Sequence, residues 1–130
     1  MGFENRIIPS ELALWVLRIV FGAIFLVHGW PKLKGLRATA ENFEMMGFRP
    51  GKFWGTFIAF LEVFGGLAII LGIYTETLAT LFAIEMAVAT IWKMKRGQKF
   101  VGGIELDLIL FASGLILSAF SSSIYSFGGY

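Results

Sequence analysis

The chain contains no cysteine, one histidine and three prolines, and only 15% of its 130 residues are charged. Without cysteine there are no disulfides, thiolate metal sites, cysteine-ligated iron–sulfur clusters or C-x-x-C redox motifs. A single histidine rules out bis-histidine haem ligation within one chain, and no spacing of His, Asp and Glu suggests a metal site. No catalytic triad and no phosphate-binding loop is present. The net charge of +2 is too small to suggest a nucleic-acid partner. The shortage of charge matters most. Soluble domains run near ~25% charged residues, and a chain this short has much surface per residue to cover with polar groups. The composition therefore disfavours a water-soluble monomer, and much redox chemistry is closed to the chain acting alone.

What stands in place of charge is long apolar sequence. Four runs occur: Leu12 to Trp30, broken by Arg18 and His28; Phe53 to Tyr74, broken by Glu62; Thr77 to Trp92, broken by Glu85; and Ile104 to Phe120, with Glu105 and Asp107 at its start. A hydrocarbon core of ~30 Å needs about 20 helical residues. The first two runs are long enough. The last two are slightly short, but Lys93 and Lys95 can snorkel at the end of the third, and serines follow the fourth. A buried helix of a soluble protein would show a polar face at 3.6-residue spacing, and Ile58 to Ile73 has none. The pattern predicts an all-α integral membrane four-helix bundle with short loops, one domain over residues 1–130, and spans near 11–31, 53–74, 76–94 and 104–121. The first run is longer than a signal-peptide core, carries a mid-run arginine and lacks an A-x-A site, so it reads as a span. Pro9-Ser10-Glu11 predicts its start, with Ser10 as N-cap.

Loop charges predict an orientation. Lys32, Lys34, Arg37, Arg49 and Lys52 lie in one loop and Lys93, Lys95, Arg96 and Lys99 in another, against Arg6 alone on the other side. Nine basic residues against one place both loops in the cytoplasm and both termini outside, in a multi-pass protein of the cell membrane. The first loop has room for an interfacial helix, Ala40 to Met46, capped by Thr39 and ended by Gly47, with Pro50 beyond.

Several short motifs occur in order along the chain. They are Leu17-Arg18, Phe21-Gly22, Phe25-Leu26, His28-Gly29 and Lys32-Leu33, then Gly47-Phe48-Arg49-Pro50. Glu62-x-x-Gly65-Gly66, Gly72-x-x-Thr75 and Gly102-Gly103-Ile104-Glu105-Leu106 follow. In this order and spacing the chain resembles the DoxX family of small four-helix membrane proteins, over nearly its whole length. It departs from that pattern at Glu76, where a basic residue is common, and at Tyr125-Ser126-Phe127-Gly128, where a Ser-Leu-Asp ending is common. The resemblance implies a membrane bundle, and some relatives are tied to quinone-linked sulfur oxidation or membrane redox assemblies.

Ionisable side chains inside a bilayer are costly, so each needs a reason. Arg18, Gly22, Phe25 and Gly29 share one stripe of the first helix, with Lys32 extending it and His28 at its edge. Glu62, Gly66 and Ile69 form a stripe on the second, with Gly65 at its margin. The four glycines Gly22, Gly29, Gly65 and Gly66 let backbones approach around a polar group. Glu105 and Asp107 lie ~200° apart on a helix, so one faces inward. The family pattern assigns that role to Glu105, leaving Asp107 to a partner helix, another subunit or the headgroups. The expected pocket therefore comprises Arg18, His28, Lys32, Glu62, Glu85 and Glu105. It divides into two layers, Arg18 with Glu62 and Glu85, and Lys32 with Glu105. The alternative for Arg18 and Glu62 is an ion pair that only holds the bundle together, and for His28 an interfacial side chain bonded to a backbone carbonyl.

Three functions fit this pattern: a membrane subunit of a quinone-linked redox assembly, a non-enzymatic anchor or scaffold, and an oligomeric carrier of a small solute. The residues fix no cofactor and no catalytic group. A quinone is the candidate that the resemblance raises, and the partners to expect are the lipid bilayer, a redox protein or further copies of the chain.

Overall fold

The computed structural model describes residues 7–121, so Arg6 and the Tyr125–Gly128 departure lie outside the described residues. Five helices follow one another: α1 (Ser10–Lys34), α2 (Leu36–Met46), α3 (Gly51–Leu71), α4 (Thr75–Lys95) and α5 (Glu105–Phe120), with no strand among the described residues. The segment Phe100–Ile104, whose backbone leaves helical geometry at Val101 (ψ 124°) and Gly102 (φ 81°), leads into α5 and extends the fourth apolar segment to Phe100–Phe120. Four segments are long and apolar enough to cross a membrane, as the composition predicts. Their outward faces carry Val27, Phe57, Phe64, Ile84, Ile91 and Ile109, all exposed. An exposed apolar belt of this size is stable only against lipid, so the chain is a membrane protein.

Local chemistry moves several helix ends from their expected places. Pro9, not Ser10, holds the extended N-cap position of α1, and no side chain caps that end. The helix in the first loop starts at Leu36, a turn before Thr39, and is therefore longer than its composition suggested. Thr39 is interior and gives its hydroxyl back to the carbonyls of Gly35 (2.9 Å) and Lys32 (3.1 Å). Gly47 ends α2 in the left-handed region (φ 98°), where a residue without Cβ costs nothing. Gly72 (φ 77°) ends α3 at Leu71, so Ile73 and Tyr74 belong to the turn rather than to the second span.

Two helix pairs build the bundle. Helix α1 runs antiparallel to α3 at glycine-to-backbone distance: a Cβ on Gly22 would come within 2.6 Å of Gly66 O, and one on Gly66 within 2.7 Å of Gly22 O. Helix α4 packs along α5, where Gly114 sits against Ala79 and Ala83. Close backbone approach replaces the hydrophobic drive that is missing between helices in lipid. Phe21, Phe25 and Phe82 join the pairs; the rings of Phe25 and Phe82 stack at 3.9 Å, and Phe82 lies under Gly65. Helices α3 and α4 touch mainly near the turn that connects them, and they diverge toward the end that carries Lys32 and Lys93. Helix α2 lies across that end. Gly51 and Gly55 of α3 press on the α2 backbone at Ala40. Trp92 Nε1 of α4 donates to Met46 O at 3.0 Å, tying α2 to the other pair.

Candidate functional site

The gap between α3 and α4 is a half-open cavity of about 810 Å³. Trp54, Phe57 and Leu61 of α3 form one wall and Leu81, Ile84 and Val88 of α4 the other, while Phe43 and Met46 of α2 close the basic end. Deep in the gap the lining turns polar. Lys32 comes from α1, Glu62 from α3, Glu85 and Lys93 from α4, and Asp107 from α5, with the exposed His28 of α1 at the rim. Five helices thus contribute to one chamber whose sides are apolar and whose inner end is charged.

The polar end follows from helix register. A Cβ on Gly29 would come within 2.5 Å of Glu62 Cβ and 2.9 Å of Val63 N, so the α1 backbone meets α3 at this level. Lys32 stands one turn further along, and its Nζ reaches Glu62 Oε1 at 2.6 Å. The Glu62 side chain is 2% exposed and that of Lys32 34%, so the pair runs from the interior to the basic end. Glu62 also sits in the π turn Leu61–Gly65 of α3. Such a turn breaks the regular helical register, and turns of this kind recur at functional sites. Across the gap Glu85 lines the same chamber as Glu62. Its Oε1 is buried and has no hydrogen-bond partner among the described residues. A second ion pair stands beside the first: Lys93 Nζ lies 2.8 Å from Asp107 Oδ2 and donates to Gly103 O at 3.0 Å.

The structure brings Lys32, Glu62 and Glu85 together and leaves Arg18 and Glu105 elsewhere. Arg18 does not meet Glu62. Eleven residues separate it from Gly29, about 16 Å of helix rise, and Gly29 is the residue level with Glu62. The expected layer of Arg18 with Glu62 does not form because α1 begins well beyond the end of α3, so equal depth from each helix end is not equal depth in the bundle. Arg18 is 3% exposed, and its Nε and Nη1 have no hydrogen-bond partner among the described residues. The Phe21, Phe25 and Phe82 rings occupy the interval between it and the cavity. Glu85 lines the chamber with Glu62 but without Arg18, and Lys32 pairs with Glu62 rather than with Glu105.

Glu105 is exposed and faces away from the chamber. Its carboxylate accepts the Gly102 N–H at 2.9 Å, in the manner of a residue reaching back over the first turn of its helix. Asp107 is the buried one of the two. The signal for this was present: Asp107, Leu110, Gly114 and Leu117 recur at helical spacing, and the small residue in that stripe marks the packed face. Lys93, which the pattern placed as a snorkelling end residue, turns in to Asp107. His28 reaches the cavity wall but is largely exposed, and no ion pair among the described residues includes it. No cluster able to hold a metal ion occurs among the described residues.

A DoxX family profile matches residues 13–94, which include Arg18, Lys32, Glu62, Glu85 and Lys93 but not Asp107. The chain belongs to the DoxX family. It is 31% identical over 108 residues to a protein of Bacillus subtilis (strain 168) named "Putative oxidoreductase CatD", an overlap of 83% of this chain and 78% of that one. It is 37% identical over 70 residues to "Inner membrane protein YqjF" of Escherichia coli (strain K12), covering 54% of this chain and 52% of the other. No solved structure matches this DoxX chain.

Proposed function

We propose that this DoxX protein is the membrane subunit of a quinone-linked redox assembly, with the quinone held between α3 and α4. The observation that carries the reading is the cavity itself. It is apolar along the lipid-facing gap and ends at buried carboxyl groups paired with partly exposed ammonium groups, the polarity of a ring-headed lipid with an apolar tail. A tail can enter between the diverging helices without crossing water. Lys32, Glu62, Glu85, Lys93 and Asp107 would surround the head, with His28 at the rim. With no cysteine in the chain, electrons reach the quinone from a partner protein. A relative named as an oxidoreductase agrees with this assignment. The excess of basic residues in the two loops supports both termini lying outside the cytoplasm.

Mass spectrometry of lipids that co-purify in mild detergent tests the reading. An isoprenoid quinone is expected with the wild type and is expected to be lost from Ala89→Phe, which fills the cavity wall. Absence of quinone from the wild type, together with no uptake of added quinone, overturns it.

A further inference from the structure

We infer that Arg18, with the Thr75 and Ser121 hydroxyls and the first turn of α4, forms a second site that binds a phosphate group, at the end of the bundle opposite the basic loops. It is independent of the cavity, from which the Phe21, Phe25 and Phe82 rings separate it. Arg18 is buried, and its Nε and Nη1 are closed off with no hydrogen-bond partner among the described residues. A guanidinium stays protonated, so burial cannot neutralise it as it would a lysine. Water meets its N–H groups but not its charge, and an unpaired charge in apolar surroundings is costly. The described carboxylates at this end, Glu11 on α1 and Glu76 on α4, are exposed, and neither forms an ion pair with Arg18.

Two more buried polar atoms at this end lack partners among the described residues, Thr75 Oγ1 and Ser121 Oγ, each in a residue only 4% exposed. Register brings them to Arg18. Gly22, one turn along α1, meets α3 at Ile70, where an added Cβ would lie 3.1 Å from Ile70 N. Arg18 is therefore level with the turn between α3 and α4, residues 72–74. The Phe21 and Phe82 rings, 5.9 Å apart, set α1 beside α4 running the same way, and Thr75 opens α4 two turns before Phe82. Side chains on a helix lean toward its N-terminus, which on α1 is the direction of Thr75. Helix α5 returns alongside: Ser118 Oγ lies 2.6 Å from Thr80 Oγ1, so Ser121, one turn on, reaches the first turn of α4. No side chain caps α4, and the N–H groups of Thr75 and Glu76 make no backbone hydrogen bond among the described residues. A guanidinium fork, two hydroxyls and a helix N-terminus are all donors, the set that holds a phosphate. The end of a membrane span is also the level of lipid headgroups.

The phosphate has two sources, a lipid headgroup and the free anion, and binding to the full chain in dodecyl maltoside, a detergent without phosphate, separates them. Native mass spectrometry reads dioleoyl phosphatidylglycerol against dioleoylglycerol. Equilibrium dialysis reads radiolabelled inorganic phosphate against chloride of equal ionic strength. The wild type is expected to bind at least one of the two saturably, and which one it binds identifies the source. Arg18→Met is expected to bind it about tenfold or more weakly, the range for losing charge-assisted hydrogen bonds. The double variant Thr75→Val, Ser121→Ala keeps the charge and nearly the same volume, so it reads the site even where Arg18→Met fails to fold. It is also expected to bind more weakly than the wild type. Binding of neither source to the wild type overturns the inference. Binding that either variant leaves unchanged overturns it too, and moves the phosphate to the basic loops.

Discussion

At the scale of single residues, the Lys32–Glu62 pair is the group on which the interior depends. Glu62 is almost fully enclosed and its charge is met by one ammonium at 2.6 Å. Removing one partner leaves the other desolvated, whereas removing both deletes the problem. Lys32→Met is expected to destabilise the protein by about 3 kcal/mol, at the low end of the range for buried pairs because the lysine is partly exposed. Adding Glu62→Gln to that variant is expected to recover a substantial part of the loss. Thermal unfolding in detergent measures the cycle, and additive losses would show that the two side chains do not act as a pair. Arg18 lies outside this cycle. Arg18→Met combined with Glu62→Gln is expected to give additive effects, because helix rise and three phenylalanine rings separate the two.

At the scale of helices, small residues decide where α1 and α3 can meet. Gly66 is closed in by backbone, with Gly22 O at 2.7 Å and Leu26 N at 2.9 Å from any Cβ placed there. Backbone cannot rotate away as a side-chain tip can. Gly66→Val is therefore expected to force the two helices apart, costing about 1–3 kcal/mol or preventing assembly. Gly103, where the nearest atom to an added Cβ is 3.6 Å away, is the contrasting position. Gly103→Ala is expected to change stability little. Equal unfolding temperatures for the two variants would show that the close approach of α1 and α3 contributes nothing. The same contact sets the site, since the register that joins Gly22 to Gly66 brings Lys32 to Glu62.

At the scale of the whole molecule, charge distribution and shape point the same way. The ion-paired end of the cavity is also the end that carries the basic loops. If those loops face the cytoplasm, the polar end of the cavity opens toward it as well. A reporter active only outside the cytoplasm, fused after Tyr130, is expected to be active. Activity of a cytoplasmic reporter at the same point would reverse the orientation while leaving the bundle and its cavity unchanged.

Much of the fold was legible in the sequence because membrane insertion is read from local composition. Four apolar segments, the loop helix ended by Gly47 and the glycines on α1 and α3 all depend on short-range pattern. Partner choice among the buried charges was not legible in the same way. It depends on the stagger between helices, which adjacent sequence does not encode, so Arg18 looked level with Glu62 when Lys32 is its neighbour. It depends also on rotation about each helix axis. Sequence geometry established that Glu105 and Asp107 face opposite ways, but only packing against α4 turned Asp107 inward to Lys93 and left Glu105 to cap its own helix. The sequence by itself determined that this chain crosses a membrane and carries charge inside it. The tertiary structure decided which charges meet and that a cavity separates α3 from α4, because stagger, rotation and divergence are properties of helix pairs rather than of any one helix.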